Sequence, residues 1–388
     1  MNRRRILLAS GWFYASLGVA FNALGPALEA IREEFVLEYI GAGMALAAVG
    51  LGYTVGSLVG GPISDRVGTR PSIIVASAVA ALGMLLAGVS PAYLSFLAGL
   101  AVASVGWGAT EVAVTALIAR AGAALSVRDL NLAQLGFAGG AIVAPAIVGG
   151  SFVLDWGWRP PVVLSALLAA SVAAAFTRIP SAPTVERPTS LRGVIRAAAA
   201  PVLLLIGLAS ALVVVLETGL AGFFAPFLEY AFALDRAAAA SLVTLYWVGG
   251  FVGRLLGAWL SGRLDLMTWL IGASVATALA ALLAALAAEA WMAVAGAALA
   301  GVASGALIPS LLALAARHRP ADAGAMLGAV IAILGLGGIG ASLGIGGAAD
   351  AWTLRGAMLI APAVMAATVV TLIAIRALMR REAEGAGS

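Results

Sequence analysis

Residues 60–71 read GGPISDRVGTRP. Asp65, Arg66 and Arg70 crowd into this short stretch of a chain that is 63% hydrophobic and only 10% charged. Apolar runs flank it on both sides, over 40–63 and 72–89. As a helix rising about 1.5 Å per residue, each run crosses a hydrocarbon core about 30 Å thick. The charged stretch is therefore a polar turn at a membrane surface, between two spans.

The same reading extends along the whole chain. Mean hydropathy is +1.08, and further apolar segments run over 6–30, 92–118, 131–154, 161–177, 201–228, 238–261, 266–288, 291–316, 325–348 and 354–378. With the first two these make twelve spans, predicting an all-α, multi-pass membrane protein. A cleaved signal peptide is a poor reading of 1–30, because its apolar part would normally be about 7–15 residues. All 22 basic residues are arginine. With the N-terminus inside, only Arg32, Arg159, Arg236 and Arg355 fall outside, at helix ends. This asymmetry predicts cytoplasmic termini and placement in the cytoplasmic membrane. It also accounts for the net charge of +4 without any nucleic-acid partner. The absence of cysteine and the single His318 exclude disulfides, thiolate metal sites and His-rich zinc chemistry. No Walker, H-E-x-x-H or nucleophile-elbow motif occurs, so neither an enzyme nor an ATP-driven pump is expected, and no cofactor or metal is implied.

Residues 178–198 carry three prolines and four arginines. They read as a cytoplasmic linker between one six-helix bundle, 1–177, and a second, 199–388. A shift of 197 pairs Gly56 with Gly253, Gly60 with Gly257, Arg66 with Arg263, Gly99 with Gly296, and Gly108 with Gly305. Trp156-Gly-Trp-Arg159 recurs as Trp352-Thr-Leu-Arg355 at a shift of 196, and Pro26-Ala-Leu-Glu29 as Pro226-Phe-Leu-Glu229 at 200. Six helices have been duplicated in parallel. In membrane proteins that pattern points to a transporter with its site at the interface of the repeats.

With these features in place, Gly61-Pro-Ile-Ser-Asp65-Arg66-Val-Gly68-Thr-Arg70 resembles the G-x-x-x-D-R-x-G-R/K-R/K signature of the major facilitator superfamily. The resemblance implies twelve spans in two pseudo-symmetric bundles and transport by alternating access, with Gly61, Asp65, Arg66, Gly68 and Arg70 as a gating motif. Arg263 keeps the basic position in the second half, while Gly262 replaces the acid. An asymmetric latch is therefore expected. A narrower similarity joins Gly108-Ala-Thr-Glu111-Val-Ala-Val-Thr115, Leu130-Asn131-Leu-Ala-Gln134 and Asn22-Ala-Leu-Gly-Pro26 to the fucose:proton symporter family. It implies a proton-linked Glu111 and sugar ligands at Gln134 and Asn131. Asn22 stands where that family has an Asp, and Thr115 where it often has an Asn.

The residues themselves point the same way. Glu111 has no arginine at i±3 or i±4. An ionised, unpaired carboxylate inside a span costs about 2.5–3.5 kcal/mol, less when neutral, which suits Glu111 to proton exchange. Trp107, Glu111 and Thr115 share one helix face, offering an aromatic plate beside two polar groups. The bland alternative is a Glu hydrogen-bonded to a neighbouring helix. Glu217, within VVVLETGLAGFF (213–224), and Asn22 carry the same pair of readings. Phe223, Phe224 and Phe227 read as packing. Arg254 is expected to snorkel, or to pair with an acid such as Asp265, in a structural or gating role. No arginine reads as clearly mid-depth, which counts against an anion carrier. The sequence thus predicts a monomeric secondary transporter of a small polar solute, a sugar with a proton. The alternatives are an exporter of drugs or organic acids, or a sensor on the same scaffold.

Overall fold

The computed structural model describes residues 3–120, 127–180, 200–260, 263–318 and 323–386. Most of the expected linker lies outside them, as do Gly262 and the side chains of Asn131 and His318. Among the described residues every regular element is helical. The elements are α1 (Arg3–Asn22), α2 (Leu24–Glu34), α3 (Tyr39–Val67), α4 (Thr69–Gly88), α5 (Tyr93–Arg120), α6 (Val127–Val153) and α7 (Arg159–Phe176). There follow α8 (Pro201–Glu217), a π-helical turn (Thr218–Gly222), α9 (Phe224–Phe232), α10 (Arg236–Leu260), α11 (Leu266–Leu286) and α12 (Ala290–Ser304). The chain closes with α13 (Leu307–His318), α14 (Ala323–Ala351), α15 (Leu354–Met358) and α16 (Ile360–Ala386). Among the described residues twelve helical stretches are long and apolar enough to cross a membrane, α1 with α2 forming the first.

The chain forms two compact units. One comprises Met1–Thr189 with Leu234–Thr244, the other Ser190–Ala233 with Leu245–Ser388. In the first unit, α3 and α4 pack on α5, α1 on α6, and α4 on α7; in the second, α11 packs on α12, and α8 on α14 and α16. The duplication read from sequence is written into this packing. A Cβ built on Gly56 would lie 2.1 Å from the carbonyl oxygen of Val105, and one on Gly253 2.1 Å from that of Val302. Both members of each pair are 197 apart. The flanking turns repeat the pattern, Gly52 against Ala101 and Gly249 against Ala298. Glycine is present here because the backbones touch, the usual way apolar helices gain packing energy in lipid.

Proline places the breaks. Pro26 has no N–H for the carbonyl of Asn22, and the first span breaks at Ala23. Pro226 stands in the same relation to Gly222, and the seventh span breaks at Phe223. Beside the first break, the Asn22 side-chain amide donates to the Gly18 carbonyl at 2.9 Å. The repeated Trp-x-x-Arg motif closes helix ends. Arg159 donates to the carbonyls of Gly88 (3.0 Å) and Ser90 (2.8 Å), and Arg355 to that of Ala287 (2.9 Å). Cations at helix C-termini meet orphan carbonyls and the negative end of the dipole.

Gly56→Ala must separate two touching backbones, and about 1–3 kcal/mol of destabilisation is expected from such overpacking. Gly139→Ala introduces a methyl with nothing within 4 Å and gains helix propensity. Thermal unfolding of the two variants in detergent should therefore lower the midpoint for Gly56→Ala and leave it level or higher for Gly139→Ala. Equal midpoints would contradict this account of the packing.

Candidate functional site

Each unit carries its own intramembrane polar cluster. In the first, the Tyr53 hydroxyl on α3 donates to a carboxylate oxygen of Glu111 on α5. The Tyr14 hydroxyl on α1 shares a hydrogen bond with Thr115 Oγ1 at 3.2 Å. It also interacts with Gln134 on α6 and with the charge of Glu111. Side chains of α1, α3, α5 and α6 thus meet in one polar cluster in which Tyr53 is the direct partner of Glu111. Among the described residues no arginine is among the groups acting on that carboxylate. Glu111 and Thr115 are half-buried, and Gln134 is exposed. Those three retain access for a solute or a proton.

Trp107 stands one turn away and is 0% exposed, its ring 6.0 Å from Phe13. Its indole N–H has no hydrogen-bond partner among the described residues. In this conformation it is closed off within the unit. Asn22 is also buried, at the break between α1 and α2. Asn131 lies on α6, but its side chain is outside the described residues.

In the second unit, Glu217 ends α8, where the π turn begins. It feels the charge of Arg254 and acts in turn on Tyr246, both on α10. Tyr246 reaches the Ser304 side chain on α12. Arg254 departs from the sequence expectation. Asp265 is not its partner: that carboxylate caps α11, accepting from the Thr268 N–H and hydroxyl, each at 3.0 Å. These bonds hold its carboxyl below the usual range. Arg254 Nε instead donates to the Gly305 carbonyl at 3.3 Å. Proline explains why this acceptor is open. Gly305 would ordinarily receive the N–H of residue 309, and Pro309 has none. An arginine inside the eighth span thus takes the bond that a proline in the tenth gives up. Its charge also falls among the intramembrane polar groups, which sequence reading had not placed there.

At the turn between α3 and α4, Asp65 is buried and Arg66 exposed. Gly68 has φ +91° and ψ 157°, a region open essentially to glycine alone. Its N–H donates to the Ser64 carbonyl at 3.0 Å. Arg70 donates to the Thr177 carbonyl just past α7, tying the start of α4 to the end of α7. Gly61 lies on α3 with only Val112 near a built Cβ, at 3.7 Å. Arg263 stacks over Trp259, 3.9 Å from the ring centroid. Phe223, Phe224 and Phe227 are fully buried, as packing residues should be.

Tyr14 and Tyr53 were missed from the sequence. The available signal was weak: a hydroxyl-bearing ring within an apolar run, Tyr14 aligned with Gly18 and Asn22 at i, i+4 and i+8.

The Major Facilitator Superfamily pattern matches this chain twice, over residues 11–215 and 206–388, and so takes in nearly its whole length. The chain belongs to the major facilitator superfamily. It is accordingly a membrane transporter rather than an enzyme. Several solved structures share its fold. A point mutant of a nucleoside transporter superposes with a TM-score of 0.82 at 13% identity, covering 96% of this chain and 99% of the other. A D-xylose–proton symporter gives 0.79 at 15%, covering 95% and 96%. The Escherichia coli fucose:proton symporter, also a point mutant, gives 0.67 at 21%, covering 96% and 98%. In sequence, the chain is 30% identical over 160 residues to multidrug resistance protein D of Escherichia coli strain K12. That match takes in 41% of this chain and 39% of the relative's length.

If Arg254 and Glu217 offset one another, Arg254→Gln leaves a carboxylate uncompensated in the second unit. A lower unfolding midpoint is expected, with part of the loss recovered on adding Glu217→Gln. A double variant no more stable than the single one would refute the coupling.

Proposed function

We propose that this transporter moves a small, hydroxylated polar solute, a sugar in the leading reading, together with a proton, by alternating access in the cytoplasmic membrane. The observation that carries the reading is Glu111, a carboxylate inside a membrane span held by a tyrosine hydroxyl and, among the described residues, acted on by no arginine. A fixed ion pair would lock such a group in its charged state. Hydroxyl partners serve it both charged and neutral, since Tyr53 can donate to the carboxylate and accept from the acid. Thr115, Tyr14 and Gln134 add donors and acceptors suited to sugar hydroxyls. Support also comes from the fold-level neighbours, whose names specify a nucleoside, xylose and fucose, all hydroxylated. Protonation of Glu111 favours one conformation only through its differential stability in the two. The buried Asp65 and the turn at Gly68 serve as the gating latch of the first repeat. The unit of function is a monomer.

A second reading, export of an organic acid or drug, has its own observations. Arg254 supplies an intramembrane cation that a carboxylate solute could meet, and the partial relative is named for multidrug resistance.

Uptake into proteoliposomes, screened across sugars, nucleosides, organic acids and cationic drugs under an imposed pH gradient, separates the two. The leading reading expects a sugar or nucleoside to accumulate. It also expects Glu111→Gln to abolish accumulation while leaving exchange down a solute gradient. Gradient-driven accumulation by Glu111→Gln would overturn the proton role. Accumulation of acids alone, lost in Arg254→Gln, would favour the second reading.

A further inference from the structure

Along the outer face where α1 meets α6 runs an open groove of about 730 Å³, lined almost wholly by apolar atoms. Its floor is low because the two helices touch: a Cβ on Gly136 would lie 2.2 Å from the carbonyl oxygen of Gly11. Leu8, Trp12 and Leu132 form its walls and are 65%, 44% and 46% exposed. The Trp12 indole is fixed in place by its N–H bond to Ser171 Oγ at 2.9 Å. At one end the lining passes from apolar residues to Arg3 and Arg4.

The groove therefore has a polar, positively charged mouth and a long apolar body. On α1 it extends from Arg3 to Ala15, about 18 Å of helix. One leaflet of hydrocarbon is about 15 Å, half of a core about 30 Å thick. A ligand filling this shape carries its negative charge at the membrane surface and an apolar chain one leaflet long. A hydrated solute would leave the apolar walls unmatched, and a zwitterionic lipid would bring no net negative charge to the cationic mouth. We propose that the groove between α1 and α6 is a binding site for an anionic glycerophospholipid, its phosphate on Arg3 and Arg4 and one acyl chain lying over Leu8 and Trp12.

The test uses the full chain reconstituted in phosphatidylcholine bilayers. Brominated phosphatidylglycerol or brominated phosphatidylcholine is titrated in, and quenching of Trp12 is read as the difference between wild type and Trp12→Phe. Basic residues near an anionic surface contribute about five-fold each. Brominated phosphatidylglycerol should therefore quench Trp12 at a mole fraction at least about five-fold lower than brominated phosphatidylcholine. Arg3→Gln with Arg4→Gln should remove the difference, and Arg3→Lys with Arg4→Lys should keep it. Equal quenching by the two lipids in wild type overturns the proposal by itself, whatever the variants do. So does an undiminished preference in the double glutamine variant. Neither readout depends on transport.

Discussion

Within a bilayer a backbone carbonyl that loses its helical donor has no water to turn to, and it must find a partner inside the protein. Much of this structure follows from that constraint. It makes every span a helix. It also gives prolines an influence beyond their own positions. Pro26 and Pro226 break the first and seventh spans at matching places, one at Ala23 and one at Phe223. Pro309 leaves the Gly305 carbonyl open, and Arg254 closes it. A strongly polar side chain is thus held inside a span by a bond the helix itself cannot make.

The two repeats keep one packing scheme and diverge in chemistry. In both, the second and fourth spans approach through glycines 197 residues apart. In both, a tyrosine on the second span reaches across to the fourth, Tyr53 to Glu111 and Tyr246 to Ser304. The acids differ. Glu111 sits on the fourth span of the first repeat among neutral hydroxyl and amide groups. Glu217 sits on the first span of the second repeat, under the influence of an arginine. The partner of the first is a neutral hydroxyl, that of Tyr53; the second feels the charge of Arg254.

Much of this could be read from sequence, for definite reasons. Span count follows from hydropathy. The glycine register survives duplication because an added methyl would strike backbone, and Pro26 and Pro226 survive with the helix breaks. The Trp-x-x-Arg repeats proved to be helix-end caps, Arg159 on Gly88 and Ser90, Arg355 on Ala287. Partners separated by long stretches of chain were not legible. Nothing local to Tyr53 announces that it meets Glu111, 58 residues on. Nothing local to Arg254 announces the proline in the tenth span, and the sequence offered only snorkelling or an acid such as Asp265 as its outlet. Trp107 was expected as an open aromatic plate, from its spacing to Glu111. Spacing fixes a helix face, but what covers that face depends on Phe13 from another helix.

In the proposed cycle Glu111 is the group in the first unit that takes up and releases a proton, with Tyr53 as its hydrogen-bond partner. Infrared difference spectroscopy of the reconstituted protein across a step in pH observes this directly. A carboxylic C=O stretching band should appear on acidification, shift in frequency in Tyr53→Phe, and vanish in Glu111→Gln. A band that persists unchanged in Glu111→Gln would contradict the assignment.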